Sequence, residues 1–164
     1  MATNNAINQI GKLPAFMAIN GPEQTGITST GGSYSTIAFG TKVYDVTNSY
    51  DNSTYTFTAP LTGRYSFQVL LGLYNCTASM TGLSINLYTT QSNYILFFEN
   101  FAPGQAVGGF YVFAANNSVV VPMNSGDTAS VRVALADGAS LSISGSTGSG
   151  SNTPIFSGYM IAGI

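Results

Sequence analysis

The sequence predicts an all-β fold, a sandwich of short strands, on three observations. Apolar and polar residues alternate in stretch after stretch, which is the period of a strand with one face buried. Clusters of turn-forming residues separate these stretches at spacings that suit a sandwich: Asn20-Gly21-Pro22, Gly31-Gly32, Asn124-Ser125-Gly126-Asp127 and Asp137-Gly138. No amphipathic helix competes with them.

Residues 1–13 are expected to form an N-terminal arm. Ala6, Ile10 and Leu13 have a helix-like spacing, but Gly11 and Pro14 stop it after about two turns, short of the length at which isolated helices persist. Tyr55, Phe57 and Ala59 then mark a strand by their two-residue period. The clearest strand opens just after the turn residues Pro60 and Gly63: Tyr65, Phe67, Val69 and Leu71 point one way, and Arg64, Ser66, Gln68 and Leu70 the other. Leu83, Ile85 and Leu87, then Ala129, Val131, Val133 and Leu135, then Leu141 and Ile143 repeat the pattern. Tyr94 to Phe98, Phe110 to Ala115 and Ile155 to Ile164 are apolar on both faces, as strands covered on both sides are. In a two-layer sandwich the second cover is expected from another subunit. Gly145 to Asn152 reads as a flexible connection between the last two strands.

A chain of 164 residues is the size of one domain, with no room for a second. Charged residues make up only 6% of it, against roughly a quarter in ordinary soluble proteins, so hydroxyls and amides must keep the surface wet. The four basic residues, Lys12, Lys42, Arg64 and Arg132, lie far apart and the net charge is −2, which makes nucleic acid and anionic membranes poor partners. Cys76 is the single cysteine, read as a core thiol, so no intrachain disulfide is available. Met1 to Ile10 lacks the charged and apolar regions of a signal peptide, and no apolar run approaches the roughly 20 residues of a membrane helix.

The sequence has no histidine, which removes the Ser-His and Cys-His routes to an activated nucleophile and the commonest zinc ligand. Six carboxylates remain, Glu23, Asp45, Asp51, Glu99, Asp127 and Asp137, from which a glycosidase-like pair would have to be drawn. Asp127 and Asp137 sit at turns, where aspartate commonly satisfies backbone groups. Asp45, Asn48, Asp51 and Asn52 are rich in oxygen but lack the spacing of a calcium loop. The run Gly145-Ser146-Thr147-Gly148-Ser149-Gly150 has no following lysine and is read as a loop instead of a phosphate cradle. No catalytic, cofactor-binding or metal-ligating residue is therefore assigned, and the chain is expected to be no enzyme. Tyrosines in or near predicted loops and strand ends are the better prospects for binding, since tyrosine stacks on sugars and anchors interfaces. Tyr34, Tyr50, Tyr74, Tyr88 and Tyr94 are the candidate ligand contacts, and Tyr44 belongs to the same group.

Asn48-Ser49-Tyr50-Asp51, Phe57-Thr58-Ala59-Pro60 and Gly63-Arg64-Tyr65-Ser66-Phe67 together resemble the signature stretch of C1q-like domains. Ser125-Gly126-Asp127 and the closing Phe156-Ser157-Gly158-Tyr159-Met160-Ile161 follow in the family's order, and with Pro14-Ala15-Phe16 as the opening strand the resemblance spans residues 14–164. It implies a jelly roll of about ten strands related to the tumour-necrosis-factor fold, assembled as a homotrimer about a three-fold axis. Phe16, Phe110, Tyr111, Phe113, Tyr159 and Ile161 are the trimer-interface candidates on that basis. The chain differs from the family in having no collagen-like stalk, and the family's calcium-binding positions find no match in it.

The opening Ala2-Thr3-Asn4-Asn5-Ala6-Ile7-Asn8 and the charge-poor Ser, Thr, Asn and Gly composition resemble bacteriophage virion proteins. The expectation is a non-enzymatic trimer on the virion surface, a capsid decoration or a fibre component, that docks on other virion proteins through residues 1–13. The alternative is a receptor-binding tip that recognises a host surface glycan or protein.

Overall fold

The computed structural model describes residues 13–29, 33–102, 113–136, 138–146 and 153–163; the side chains of Phe113 and Ala114 are outside that description. Most of the arm, the Gly31-Gly32 turn, Phe110, Tyr111, Asp137 and residues 147–152 also lie outside the described residues. The strands are β1 (Ala15–Ile19), β2 (Gln24–Thr28), β3 (Ser35–Thr36), β4 (Thr41–Asp45), β5 (Tyr50–Asp51), β6 (Thr56–Thr58), β7 (Gly63–Tyr74), β8 (Gly82–Thr89), β9 (Asn93–Asn100), β10 (Phe113–Met123), β11 (Thr128–Leu135), β12 (Ser140–Ile143) and β13 (Ile155–Gly163).

They form two antiparallel sheets, and no helix occurs among the described residues, so the chain is the all-β jelly roll that the sequence predicts. The first sheet runs β2-β12-β7-β13-β1-β4, with β10 also paired to β7. The second runs β5-β6-β11-β8-β9, with β3 also paired to β11. β7 is the spine of the first sheet. Gly63 to Leu73 pair with β10, while Gly63 to Leu70 pair with β13, and Leu73 and Tyr74 pair with β12.

The alternation read from the sequence is the alternation observed. Tyr65, Phe67, Val69 and Leu71 face inward from β7, opposite Leu83, Ile85 and Leu87 of β8 and Ala129, Val131, Val133 and Leu135 of β11, and all of them are buried. Phe16 is the centre of the aromatic core. Its ring stacks on Tyr50 and Phe57, each at 4.9 Å between centroids, and meets Phe156 edge-on at 5.0 Å. Cys76 is buried, in accord with the core thiol expected, and burial pushes its pKa up.

Local departures have local causes. The strand expected over Tyr55, Phe57 and Ala59 narrows to the three residues of β6, because Tyr55 takes a left-handed backbone at φ 58°. Tyr94 to Phe98 is not covered on both faces within the chain, since Ile95 and Phe98 are exposed on edge strand β9. The connection starting at Gly145 is anchored at its first residues: Ser146 donates its N–H toward the Asn20 and Gly21 carbonyls, and a Cβ on Gly145 would lie 2.6 Å from the Glu23 nitrogen. Asp127 closes the β10–β11 turn as the sequence suggests. It accepts hydrogen bonds from the Asn124 N–H at 2.7 Å, the Thr90 hydroxyl at 2.7 Å and the Gln91 amide at 3.0 Å.

Candidate functional site

Strand β13 has one face in the core and one outside. Phe156, Gly158 and Met160 are buried, whereas Tyr159 and Ile161 are exposed, at 57% and 48%. Gly158 sits between Phe16 of β1 and Phe67 of β7 in the strand register, so the rings of both neighbours fill the space a side chain would take.

On the outer face the register lines up two rows of side chains. Ser157 lies beside Met17 and Gln68, and Gln68 beside Ser118; Tyr159 lies beside Ala15 and Ser66, and Ser66 beside Val120. Ser66, Gln68, Ser118, Ser157 and Tyr159 line a shallow hollow of about 240 Å³ with no charged group among them. The backbone beneath is spent on ladder hydrogen bonds. Such a face offers hydroxyls, one amide and an aromatic ring, and no general base. It is suited to being covered, because no ion has to be desolvated to cover it.

The interface candidates separate on this geometry. Tyr159 and Ile161 are on the outer face. Phe16 is not: it is wholly buried within a single chain and stacked on Tyr50 and Phe57, so it has no surface to give a partner. Phe110 and Tyr111 lie outside the described residues, as does the side chain of Phe113. Ser66, Gln68 and Ser118 complete the face. The outward set Arg64, Ser66, Gln68 and Leu70 was visible in the alternation, but nothing in a polar outward set marks it as different from ordinary surface.

The tyrosine candidates separate as well. Tyr50 is a core residue, not a loop contact: it is 2% exposed, its hydroxyl donates to the Phe39 carbonyl at 3.0 Å, and desolvation raises its pKa. Tyr74 is half-buried at the end of β7, where desolvation and then a hydrogen bond with Glu23 push its pKa up to about 12. Tyr94 is half-buried and packs against the core. Tyr34 and Tyr88 stay exposed and come together on the outer face of the second sheet, with ring centroids 6.5 Å apart. Arg132 joins them, its Cζ 3.8 Å from the Tyr88 ring centroid. Sequence reasoning counted Arg132 only as an isolated basic residue, although its place between Val131 and Val133 on an alternating strand already pointed it outward.

Half of the oxygen-rich cluster, Asp45 and Asn48, gathers around the Lys42 ammonium, while Asp51 turns to Ser53 and Asn52 donates to the Gly40 carbonyl. The Lys42 ammonium lies 3.4 Å from Asp45 Oδ2, 3.4 Å from Asn48 Oδ1 and 3.1 Å from the Tyr50 carbonyl. Asp45 also accepts the backbone N–H groups of Ser49 and Tyr50, at 2.9 and 3.0 Å. This knot fixes the loop between β4 and β5 at the wall of an open cleft of about 520 Å³. Among the described residues no group of three or more metal-ligating side chains is gathered.

The C1q domain family model matches residues 15–161, nearly the whole of the sandwich. The chain belongs to the C1q domain family. No curated protein matches it. Among solved structures, this C1q domain is similar to the globular domain of zebrafish complement 1qA protein, with a TM-score of 0.60 at 16% identity over 93% of this chain and 99% of the other. It is also similar to murine APRIL, whose structure at pH 8.0 gives a TM-score of 0.56 at 11% identity over 92% of this chain and 100% of the other. At these identities the likeness is one of fold, and it places the C1q domain in the same jelly-roll architecture as APRIL.

Proposed function

We propose that the chain is a non-enzymatic, homotrimeric C1q module of a bacteriophage virion, displayed on the particle as a capsid decoration or a fibre component. The observation that carries the trimer is the uncharged hollow on the outer face of β7, β10 and β13, lined by Ser66, Gln68, Ser118 and Ser157, with the exposed ring of Tyr159 beside them. Closed rotational symmetry lets three copies of one such face bury one another. The absence of histidine and the use of Asp45, Asp51 and Asp127 in local backbone and side-chain bonds support a structural reading over a catalytic one. The charge-poor, amide- and hydroxyl-rich composition supports the virion setting, and residues 1–13 are the segment assigned to docking on other virion proteins.

Sedimentation of the full chain at micromolar concentration should give about three times 17.1 kDa. Tyr159→Glu, which puts an unpaired carboxylate on the covered face at a cost of about 3–5 kcal/mol per buried charge, should give the single-chain mass with the β circular-dichroism signal kept. A wild-type mass of one chain would rule the trimer out. Microscopy of virions labelled at this chain tests the setting, and full occupancy by a chain lacking residues 1–13 would remove the arm from docking.

A second reading, a receptor-binding tip, is favoured by the exposed Tyr34 and Tyr88 rings with Arg132 against them.

A further inference from the structure

We propose that the outer face of the second sheet is a binding site for an acidic saccharide, with Arg132 holding the sugar carboxylate and Tyr34 and Tyr88 giving the ring a surface to stack on. The proposal deepens the receptor-binding reading and rests on it for its biological setting. The site itself lies within one protomer.

Arg132 is on β11, one of the strands inside the sheet, and its side chain is half-buried on the outer face. Two contacts hold its guanidinium in place: the Cζ lies 3.8 Å from the centroid of the Tyr88 ring, and Nε donates to Ser130 Oγ at 3.2 Å. Neither contact uses the terminal nitrogens. Among the described residues the ion pair is Lys42 with Asp45, so no carboxylate answers Arg132. A guanidinium already stacked and oriented presents two parallel N–H donors, the geometry that takes a carboxylate in bidentate fashion. Arg64 also lacks an acid partner, but it is exposed and has no ring beneath it among the described residues.

The surroundings fit a sugar. Tyr34 lies 6.5 Å from Tyr88 between centroids, inclined at 46°, and its hydroxyl accepts a hydrogen bond from the Asn93 amide at 3.3 Å. Both residues keep close to two fifths of their surface exposed, at 41% and 38%. Exposed aromatic faces beside amides and hydroxyls match a ligand with alternating C–H and O–H surfaces. In the register Arg132 lies beside Asn86, and Asn86 beside Ile95, which is 64% exposed and adds an apolar margin for an acetyl substituent.

An acidic peptide fits less well. Peptides gain much of their affinity by adding a strand to a free sheet edge. β8 and β11 are interior strands whose N–H and C=O groups are engaged in their ladders, so a ligand lying on their face meets side chains alone. Hydroxyls and a carboxylate can be recognised by side chains alone; a peptide backbone would go unpaired.

The test is titration of the full chain with 3′-sialyllactose, followed by NMR, with lactose and hexaglutamate as comparisons. Saturable binding of sialyllactose is expected, with no saturation by lactose. Arg132→Gln should weaken the binding about tenfold or more, the range for loss of a charge-assisted bond. Tyr34→Ala should weaken it several-fold. Should the glutamine variant melt abnormally, Arg132→Lys, which keeps the charge but loses the planar fork, is expected to weaken binding too. The proposal is overturned if folded wild-type chain shows no saturation up to roughly 10 mM, a weak limit for recognition. It is equally overturned if Arg132→Gln binds unchanged, or if hexaglutamate saturates the site and sialyllactose does not. Host-cell binding that survives both sialidase treatment and Arg132→Gln would keep the receptor-binding reading while discarding this site.

Discussion

Gly158 lies against the ring of Phe67: a Cβ on the glycine would come within 2.6 Å of Phe67 Cδ1, and within 2.8 Å of Phe16 Cε1 on the other side. The two rings belong to register partners of Gly158 on the flanking strands, so they close over its backbone and pack against Phe57 beyond. The Phe-Ser-Gly run near the end of the chain thus has a packing cause, in which Phe156 fills the core and Gly158 leaves room for its neighbours' rings. Gly158→Ala should destabilise the fold by about 1–3 kcal/mol through overpacking. Thermal melts should register a loss of roughly 2–4 °C for each kcal/mol in a chain of this size. An unchanged melting temperature would mean that the rings have slack this geometry does not show.

Asp127 predicts how stability responds to acid. The Thr90 hydroxyl first, then the Asn124 N–H and the Gln91 amide, hold its carboxyl below its ordinary 3.8. A carboxylate whose folded pKa is depressed binds its proton more readily in the unfolded chain. Its stabilisation is therefore complete above about pH 4 and is lost as the pH falls through the lowered folded value. Asp51, held low by its bonds to Ser53, acts in the same window. Urea midpoints taken from pH 7 down to about 2.5 should fall at the acid end. Asp127→Asn should start from a lower midpoint at neutral pH and converge on wild type in acid. Parallel curves over the whole range would show that Asp127 carries no part of the acid response.

Cys76 is 3% exposed, and burial raises its thiol pKa, so the reactive thiolate is both scarce and covered. Modification by a disulfide reagent should be at least about a hundredfold slower in the native protein than in urea, because it has to wait for local opening. Native reaction at the unfolded rate would place the thiol at the surface and contradict the packing.

The alternating strands were legible because one face of each meets the other sheet: Tyr65 to Leu71, Leu83 to Leu87 and Ala129 to Leu135 carry their burial in their spelling. The short strands were not. β3 and β5 have two residues each, a single period with no repeat to reveal it. β10 extends to Met123 through the polar run Asn116 to Ser118, and Pro122 is tolerated there near the end of a strand whose described ladder is with β7 alone. The site was half legible. Tyr159 and Ile161 follow from an apolar run that one sandwich cannot cover on both sides. Tyr34, Tyr88 and Arg132 are 98 residues apart at the extremes, and only the β8–β11 register and the return of the chain through β3 bring them together. Tyr50 was misplaced because its Asn48-Ser49 approach reads as a loop, while the Asp45 carboxylate holds that loop so that the ring turns inward onto Phe16.

Phe16 and Tyr159 are near neighbours in the first sheet, on β1 and β13, but they face opposite ways, and this gives them separable effects. Phe16→Ala removes a ring that contacts Tyr50, Phe57, Phe67 and Phe156, and it should cost about 3–5 kcal/mol of protomer stability. Phe16→Leu should cost less, because part of the volume is kept. Neither touches the outer face, so the leucine variant should retain the wild-type mass in sedimentation while its melting temperature falls. Assembly stabilises the protomer by mass action, so the comparison also needs a background in which assembly is lost. In Tyr159→Glu the Phe16→Leu cost should persist undiminished, since the ring's partners all belong to its own chain. Loss of trimer mass in Phe16→Leu, with the stability cost vanishing in the Tyr159→Glu background, would return Phe16 to the interface and require the first sheet to open when the subunits meet.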